Sequence, residues 1–127
     1  MGLARTSDAD GPTRAGAAET ITDLKGAAGF DAVLDAALLD EVVLPAVRDN
    51  GLYAGAFPGR EPESERGIGV TSGVIAPDGR RLRELLALTA EGRLEARRAG
   101  TVALDGAAQA YQALRDGGQR GRWVWTP

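Results

Sequence analysis

The chain has 127 residues and a mass of 13.2 kDa, which is enough for one domain with a modest core. Its formal net charge of −3 argues against nucleic acid or an anionic membrane surface as a partner. The chain contains no cysteine and no histidine, which excludes disulfides, thiol and imidazole chemistry, and any zinc site built from these residues.

The first elements in chain order predict a leader followed by a buried strand. Residues 1–17 are polar and small and contain the breaker Gly11-Pro12, so they indicate a flexible leader. A short β-prone run, "ETITDL", follows. The mostly apolar run "FDAVLDAAL", which begins at Phe30, predicts a strand in the centre of a parallel sheet, covered on both faces.

The segment "LLDEVVLPAVRDNG" predicts an amphipathic helix that leads into another strand. Leu39, Val42, Val43 and Val47 share one helical face. Asn50-Gly51 predicts the C-terminal stop, and Pro45 predicts a bend or a late start. The next strand is "LYAGAF", whose small residues allow close approach to the backbone.

The second half of the chain alternates between strand and helix patterns. "IGVTSGVIA" predicts a strand, and "PDGRRLRELLALTAEGRL" predicts a helix with Leu82, Leu85 and Leu86 facing inward. "EARRAGTVAL" is extended. "LDGAAQAYQALRDGG" predicts a helix with Asp105 as its N-cap, and "RGRWVWTP" predicts a last strand. This order predicts an α/β fold with a parallel sheet.

In order and spacing, these segments resemble the C-terminal portion of the medium-chain dehydrogenase/reductase superfamily. The resemblance is to its quinone oxidoreductase branch, often labelled zinc-binding dehydrogenase, and it covers Leu3 to Pro127. The most specific piece is "VALDGAAQAYQALRDGGQRGRWVWTP". The family closes with a Leu-Asp/Glu-x-Ala-Ala-x-Ala helix, then Gly and Arg/Lys before a short hydrophobic strand. The other pieces are "RAGAAETITDL", "DAVLDAAL", "VLPAVRDNGLYAGAF", "IGVTSGVI" and "LRELLALTAEGRL".

The resemblance implies a partial Rossmann-type parallel sheet with flanking helices, plus a C-terminal helix and strand. Residues 1–17 would hold part of the second Rossmann strand and the leader. Residues 18–93 would form the nucleotide-binding portion. Residues 94–127 would form a strand-helix-strand that returns to a catalytic domain. That domain and the glycine-rich pyrophosphate turn are absent from this sequence.

The resemblance also implies a site for NADP or NAD. Arg5 and Ser7 follow the second Rossmann strand, where the family receives the 2′-phosphate of NADP; Asp8 stands where some quinone oxidoreductases carry a lysine. Gly55 and Phe57 end the fifth strand, on the nicotinamide side of the cofactor. The alternatives are a solvated N-terminal tail at Arg5 and Ser7, and simple close packing at Gly55.

Two more residues complete the expected site. Asp35 ends the fourth strand, at the edge where open α/β sheets bind ligands, although a role as a helix cap is the alternative. The family usually has a glycine near the position of Ala37 and Leu38, and this sequence departs from that pattern. Thr71 would line the nicotinamide pocket. No catalytic acid or base and no metal ligand can be assigned.

These implications predict the cofactor-domain part of an NAD(P)H-dependent oxidoreductase acting on quinone, enone or carbonyl substrates. Alone it would be inactive, and its dinucleotide binding weak or absent. A homodimer through the edge strand 68–75 is expected, in the cytoplasm and without zinc. The alternative is a non-catalytic truncated relative that acts as a dimerisation module or is a remnant.

Overall fold

Seven short β-strands, each paired in parallel with a neighbour, form the framework of this α/β chain. The computed structural model describes residues 1–127 and divides them into two units, Met1–Ala76 and Pro77–Pro127. The predicted α/β class with parallel strands is confirmed.

The first unit contains five strands in two sheets. Strands β1 and β2 pair with each other, and β3, β4 and β5 form a three-stranded sheet in that order. A core beneath β3 and β4 is formed by Val43, Leu44, Ala46, Val47, Tyr53 and Ile68. The elements are β1 (Gly2–Leu3), a 3-10 turn (Thr6–Asp8), α1 (Asp10–Arg14), β2 (Thr20–Ile21), β3 (Phe30–Asp35), a 3-10 helix (Asp40–Ala46), β4 (Val47–Gly55) and β5 (Gly69–Ser72).

The second unit is a helix followed by a strand-helix-strand. Strands β6 and β7 pair in parallel, and α3 connects them. The Trp123 ring lies against Gly100, its register partner on β6, where a side chain would clash with the indole. The elements are α2 (Gly79–Ala90), β6 (Arg98–Ala103), a 3-10 turn (Leu104–Gly106), α3 (Ala107–Asp116) and β7 (Arg122–Thr126).

The helix predicted over residues 38–51, "LLDEVVLPAVRDNG", is wrong. Residues Asp40–Ala46 form a 3-10 helix, and Val47 already begins β4. Pro45 explains the difference, because proline offers no amide hydrogen and disfavours α-helical geometry in the residue before it. Asn50 adopts a positive φ of 56° within β4, so Asn50-Gly51 kinks a strand instead of ending a helix.

The prediction that β3 is a central strand covered on both faces is also wrong. β3 pairs with β4 on one side only, and Leu34 is 75% exposed. An apolar run indicates that a strand can be buried. The position of that strand in the sheet depends on which other strands are present to pair with it. The strand predicted at 68–76 is shorter than expected, and β5 ends at Ser72.

The predicted helices α2 and α3 form, but two details differ. Leu82, Leu85 and Leu86 remain about half exposed. Local features specify α2, since the Asp78 carboxylate caps it by accepting from the amides of Arg80 and Arg81, but burial of its apolar face needs an opposing surface. Asp105 lies inside a 3-10 turn and is not the N-cap of α3.

The Arg66 guanidinium joins three parts of the first unit. It donates to the carbonyl of Leu44 at 2.7 Å, to the carbonyl of Val47 at 3.0 Å, and to Asp49 Oδ1 at 2.9 Å. The Arg66 carbonyl in turn accepts from the amide of Asn50 at 3.1 Å. One side chain therefore satisfies the end of the 3-10 helix and holds the start of β4.

We expect Arg66→Ala to lower the urea midpoint of unfolding, because two backbone carbonyls lose their donors. Arg66→Lys is the matched control, since it keeps the charge but cannot present the planar fork that reaches both carbonyls. The midpoint of Arg66→Lys should therefore lie near that of the alanine variant. A lysine variant as stable as the wild type would show that charge alone, and not the fork, is what matters at this position.

Candidate functional site

The carboxyl ends of β3, β4 and β5 lie side by side and form the candidate site, which we call the carboxyl edge. Asp35, Gly55 and Ser72 are register partners across the three strands, and Leu34, Ala54 and Thr71 form the row before them. Backbone hydrogen bonds continue the alignment past the strands, from the amide of Ala56 to the Asp35 carbonyl at 2.8 Å. Such edges are where open α/β sheets bind ligands.

The Asp35 carboxylate is the best-connected group at this edge. It is 4% exposed and accepts the backbone amides of Ala37, Leu39 and Asp40 at 2.8 to 2.9 Å. The hydroxyl of Tyr53 donates to its Oδ2 at 3.0 Å. Burial acts to raise the pKa of Asp35, but these four hydrogen bonds together outweigh it and lower the pKa below its ordinary value.

The loop after β3 is held in an unusual backbone conformation. Leu38 has φ of 60° and Asp40 has φ of 50°, in the left-handed region that non-glycine residues seldom adopt. A glycine at position 38 would adopt this φ without strain. Because the Asp35 carboxylate accepts three amides from the same loop, its hydrogen bonds hold the backbone in this strained conformation.

The loop after β4 is tied down by charged side chains. Arg60 Nη2 donates to Asp40 Oδ2 at 2.8 Å, joining the loops that follow β3 and β4. The other carboxylate oxygen of Asp40 is buried without a partner. Glu61 accepts the Ser72 hydroxyl and the Gly59 amide, and the hydrogen bond from Ser72 lowers the pKa of Glu61.

The structure brings four of the six predicted site residues to this edge. Asp35, Gly55 and Thr71 lie in adjacent rows of the register, and Phe57 follows β4 with 44% of its surface exposed. Asp35 uses its carboxylate for the fold, so it positions the loop instead of offering an open group. A side chain at Gly55 would meet the Tyr53 ring at 3.3 Å, as the close-packing alternative requires.

The other two predicted residues lie elsewhere in the first unit. Arg5 and Ser7 follow β1, and Ser7 lies in the 3-10 turn. Arg5 Nη2 contacts Asp8 Oδ2 at 3.1 Å, so the acidic residue in this segment holds the guanidinium. Their role in binding a 2′-phosphate remains a prediction.

Sequence reasoning missed Tyr53, Asp40 and Arg60. Tyr53 carried a usable signal, because a buried tyrosine hydroxyl needs a partner and Asp35 was already expected at the neighbouring strand end. The pair of Asp40 and Arg60 gave no such signal. Its members lie 20 residues apart, with Asp40 at the start of the 3-10 helix and Arg60 in the irregular segment after β4.

The residues present do not form a zinc site. The sequence lacks cysteine and histidine, and no three acidic side chains come together in a way that could hold a metal ion. No helix has the length and apolar character required to cross a membrane.

A nicotinamide dinucleotide fits this edge in part. Gly55 is buried against the Tyr53 ring, whereas Ala56 is partly exposed and the exposed Phe57 ring offers a flat apolar surface beside it. The sequence holds no G-x-G-x-x-G turn for a pyrophosphate. This edge therefore offers an apolar surface for a planar ring but no glycine-rich turn for a pyrophosphate.

Comparisons with known proteins match nearly the whole chain. The profile of a family described as zinc-binding dehydrogenase matches residues 10–124. An NAD-dependent alcohol dehydrogenase has a similar structure, with 26% identity and a TM-score of 0.68. A quinone oxidoreductase from Coxiella burnetii has 17% identity and a TM-score of 0.76. A thermostable alcohol dehydrogenase from Pyrobaculum aerophilum has 19% identity and a TM-score of 0.70.

These matches cover 98% of this chain but only 43%, 44% and 41% of the respective structures. The chain thus spans less than half the length of the proteins it resembles. No curated protein sequence matches it.

We expect the phenol of Tyr53 to titrate only near pH 12, because burial and the hydrogen bond to Asp35 raise its pKa to about 12. Its contribution to stability is complete below pH 10, the ordinary tyrosine value, and is lost as the pH rises toward 12. Tyrosinate absorbance during alkaline titration measures this. Tyr53→Phe removes the signal and should lower the free energy of unfolding by about 2 kcal/mol at neutral pH.

A Tyr53 signal that appears at pH 10 while the protein is still folded would contradict the hydrogen bond to Asp35. Circular dichroism at each pH separates that result from alkaline unfolding.

Proposed function

We propose that this chain, which belongs to the zinc-binding dehydrogenase family, contributes the cofactor-binding part of an NAD(P)H-dependent oxidoreductase. The complete enzyme would act in the cytoplasm on quinones, enones or other carbonyl compounds. The single observation that carries this proposal is the alignment of Asp35, Gly55 and Ser72 at the carboxyl edge of a parallel sheet. Oxidoreductase relatives with the same fold support it.

In this proposal the residues of the carboxyl edge bind and orient the ligand. The dinucleotide supplies the hydride when bound, and the protein supplies its position. The ring would lie against the partly exposed Ala56 at the end of β4, and the exposed Phe57 side chain would shield one of its sides from water. Thr71 offers a hydroxyl in the row beside Ala54, within β5.

The chain supplies no acid or base for a proton transfer. Tyr53 donates to Asp35, and Asp35 accepts from the loop after β3, so both residues have a positioning role. We therefore propose that the isolated polypeptide binds the dinucleotide weakly and does not turn over. Phosphate binding and substrate enclosure would come from residues outside this sequence.

The preference for NADP over NAD is proposed to depend on Arg5. A guanidinium fork suits the 2′-phosphate, and Ser7 offers a hydroxyl donor two residues later. The ion pair with Asp8 competes for the same guanidinium. Discrimination between the two cofactors should therefore be modest.

We expect Phe57→Ala to weaken NADPH binding about fivefold, as loss of a ring contact of about 1 kcal/mol implies. Isothermal titration calorimetry with NADPH and NADH measures this. Leu52→Ala is the matched control. Leu52 is 44% exposed, as Phe57 is, but it lies within β4 and away from the strand end.

Arg5→Ala should reduce binding of NADPH and leave that of NADH unchanged.

Equal losses in the Phe57 and Leu52 variants would argue against a ligand at the carboxyl edge. A complete lack of NADPH and NADH binding would favour the second candidate function.

The second candidate is a non-catalytic dimerisation module, and one observation favours it. β5 pairs with β4 on one side only, so its outer edge is unpaired. Val74 and Ile75, just beyond β5, are 89% and 80% exposed. An unpaired strand edge followed by exposed apolar residues invites pairing with a second copy of the chain. The homodimer through residues 68–75 therefore remains our proposal in either function.

We expect the wild-type chain to sediment as a dimer and Ile75→Lys to sediment as a monomer, because a charge in the paired segment must be desolvated. Analytical ultracentrifugation at several concentrations measures the mass. Val42→Lys is the control, since Val42 is 67% exposed but lies in the 3-10 helix. A wild-type chain that is monomeric at every concentration would overturn the proposed dimer.

A further inference from the structure

The two-stranded sheet of the second unit has one covered face and one open face. On the covered face the Trp125 and Tyr111 rings lie 5.7 Å apart, and Trp123 Nε1 donates to Gln119 Oε1 at 2.6 Å. Side chains alternate along a strand, so Arg122 and Val124 point to the opposite face. Strand β7 therefore presents its aromatic residues to α3 and its arginine to the open side.

The open face carries an arginine-rich cleft with a volume of about 570 Å³. We call it the arginine cleft. Arg98 and Arg122 are register partners at the starts of β6 and β7, so their side chains begin side by side. The acidic residue in the lining is Glu95, 3.6 Å from Arg97 Nε. The residues that matter for charge and shape are Glu95, Arg97, Arg98, Arg120, Arg122 and Val124.

The positive charge of this cleft does not follow from the composition of the chain. Residues 77–127 contain nine arginines and six acidic residues, whereas residues 1–76 contain six basic and twelve acidic residues. A preference for arginine over lysine across the sequence explains the residue type but not its concentration in one unit. Arginine side chains gathered at one cleft repel one another, and an anion between Arg98 and Arg122 would relieve that repulsion.

We propose that the arginine cleft binds the phosphoryl groups of a small organic phosphate about the size of a nucleoside diphosphate. Guanidinium forks match phosphate oxygens in a bidentate way. The cleft volume lies within the range of small-molecule sites, and Val124 offers an apolar wall for the organic part of the ligand.

This ligand is separate from the dinucleotide of the proposed function. The residues proposed for the dinucleotide lie between positions 5 and 71, in the first unit, and none of them lines the arginine cleft. The inference therefore goes beyond the proposed function and does not require it.

The test is isothermal titration calorimetry of the full chain with ADP, with adenosine as the uncharged probe, and with NADPH. We expect ADP to bind and adenosine not to bind. The double variant Arg98→Ala/Arg122→Ala should weaken ADP binding roughly tenfold or more, as loss of charge-assisted hydrogen bonds implies. Arg83→Ala/Arg115→Ala removes the same charge from residues outside the cleft and should keep the wild-type affinity.

A second variant keeps the test decisive if the alanine variant unfolds. Arg98→Lys/Arg122→Lys retains the charge and loses the forks, so ADP binding should weaken while the melting temperature stays that of the wild type. Binding of ADP should also decrease with added salt, whereas binding driven by the adenine ring would not.

Three results would overturn the proposal. In the first, ADP binds no more tightly than adenosine. In the second, the control variant loses as much affinity as the cleft variant, so that the charge acts diffusely. In the third, ADP displaces NADPH and the cleft variant loses both, so that the cleft holds a phosphate of the dinucleotide. ADP binding without any NADPH binding would instead support the cleft and count against the proposed function.

Discussion

The buried carboxylate of Asp35 is the interaction on which the rest of the carboxyl edge depends. It terminates β3, accepts three amides of the following loop, and reaches across to the Tyr53 hydroxyl on β4. An isolated carboxylate at 4% exposure would cost several kcal/mol of desolvation. Four donors offset that cost and also fix where the backbone leaves the sheet. One side chain thus sets both the local fold and the shape of the candidate site.

The pH dependence of this carboxylate couples stability to the site. Its pKa is lowered in the folded chain, so its contribution to stability is present above the ordinary value of 3.8 and is lost as the pH falls through the folded value. The three amides it releases on protonation belong to the loop with the positive φ angles of Leu38 and Asp40. The loop therefore keeps this anchor until the pH has fallen below the ordinary aspartate range.

Local signals in the sequence predicted much of the secondary structure but less of the packing. The spacing of the leucines was enough to predict α2, and the structure adds the Asp78 cap, because a helix can be specified by its own residues. The apparent helix around Pro45 failed, since four apolar residues at helical spacing outweighed a proline in the same window. Arg66 gave no warning of its three partners, because those contacts exist only after residues 17 to 22 positions apart come together.

The candidate site likewise divides into groups that this sequence contains and groups that it lacks. This division suggests which part of ligand binding each set of groups would supply. The groups that shape the carboxyl edge, Asp35, Tyr53 and Gly55, are all encoded within one three-stranded sheet of this chain. The groups that would hold a pyrophosphate are not in this sequence, and the similar structures are more than twice as long. Under the proposed function, orientation of the nicotinamide would therefore depend on hydrogen bonds local to this chain. Most of the affinity would come from phosphate contacts made elsewhere, so a chain that binds weakly can still carry the geometry of the site.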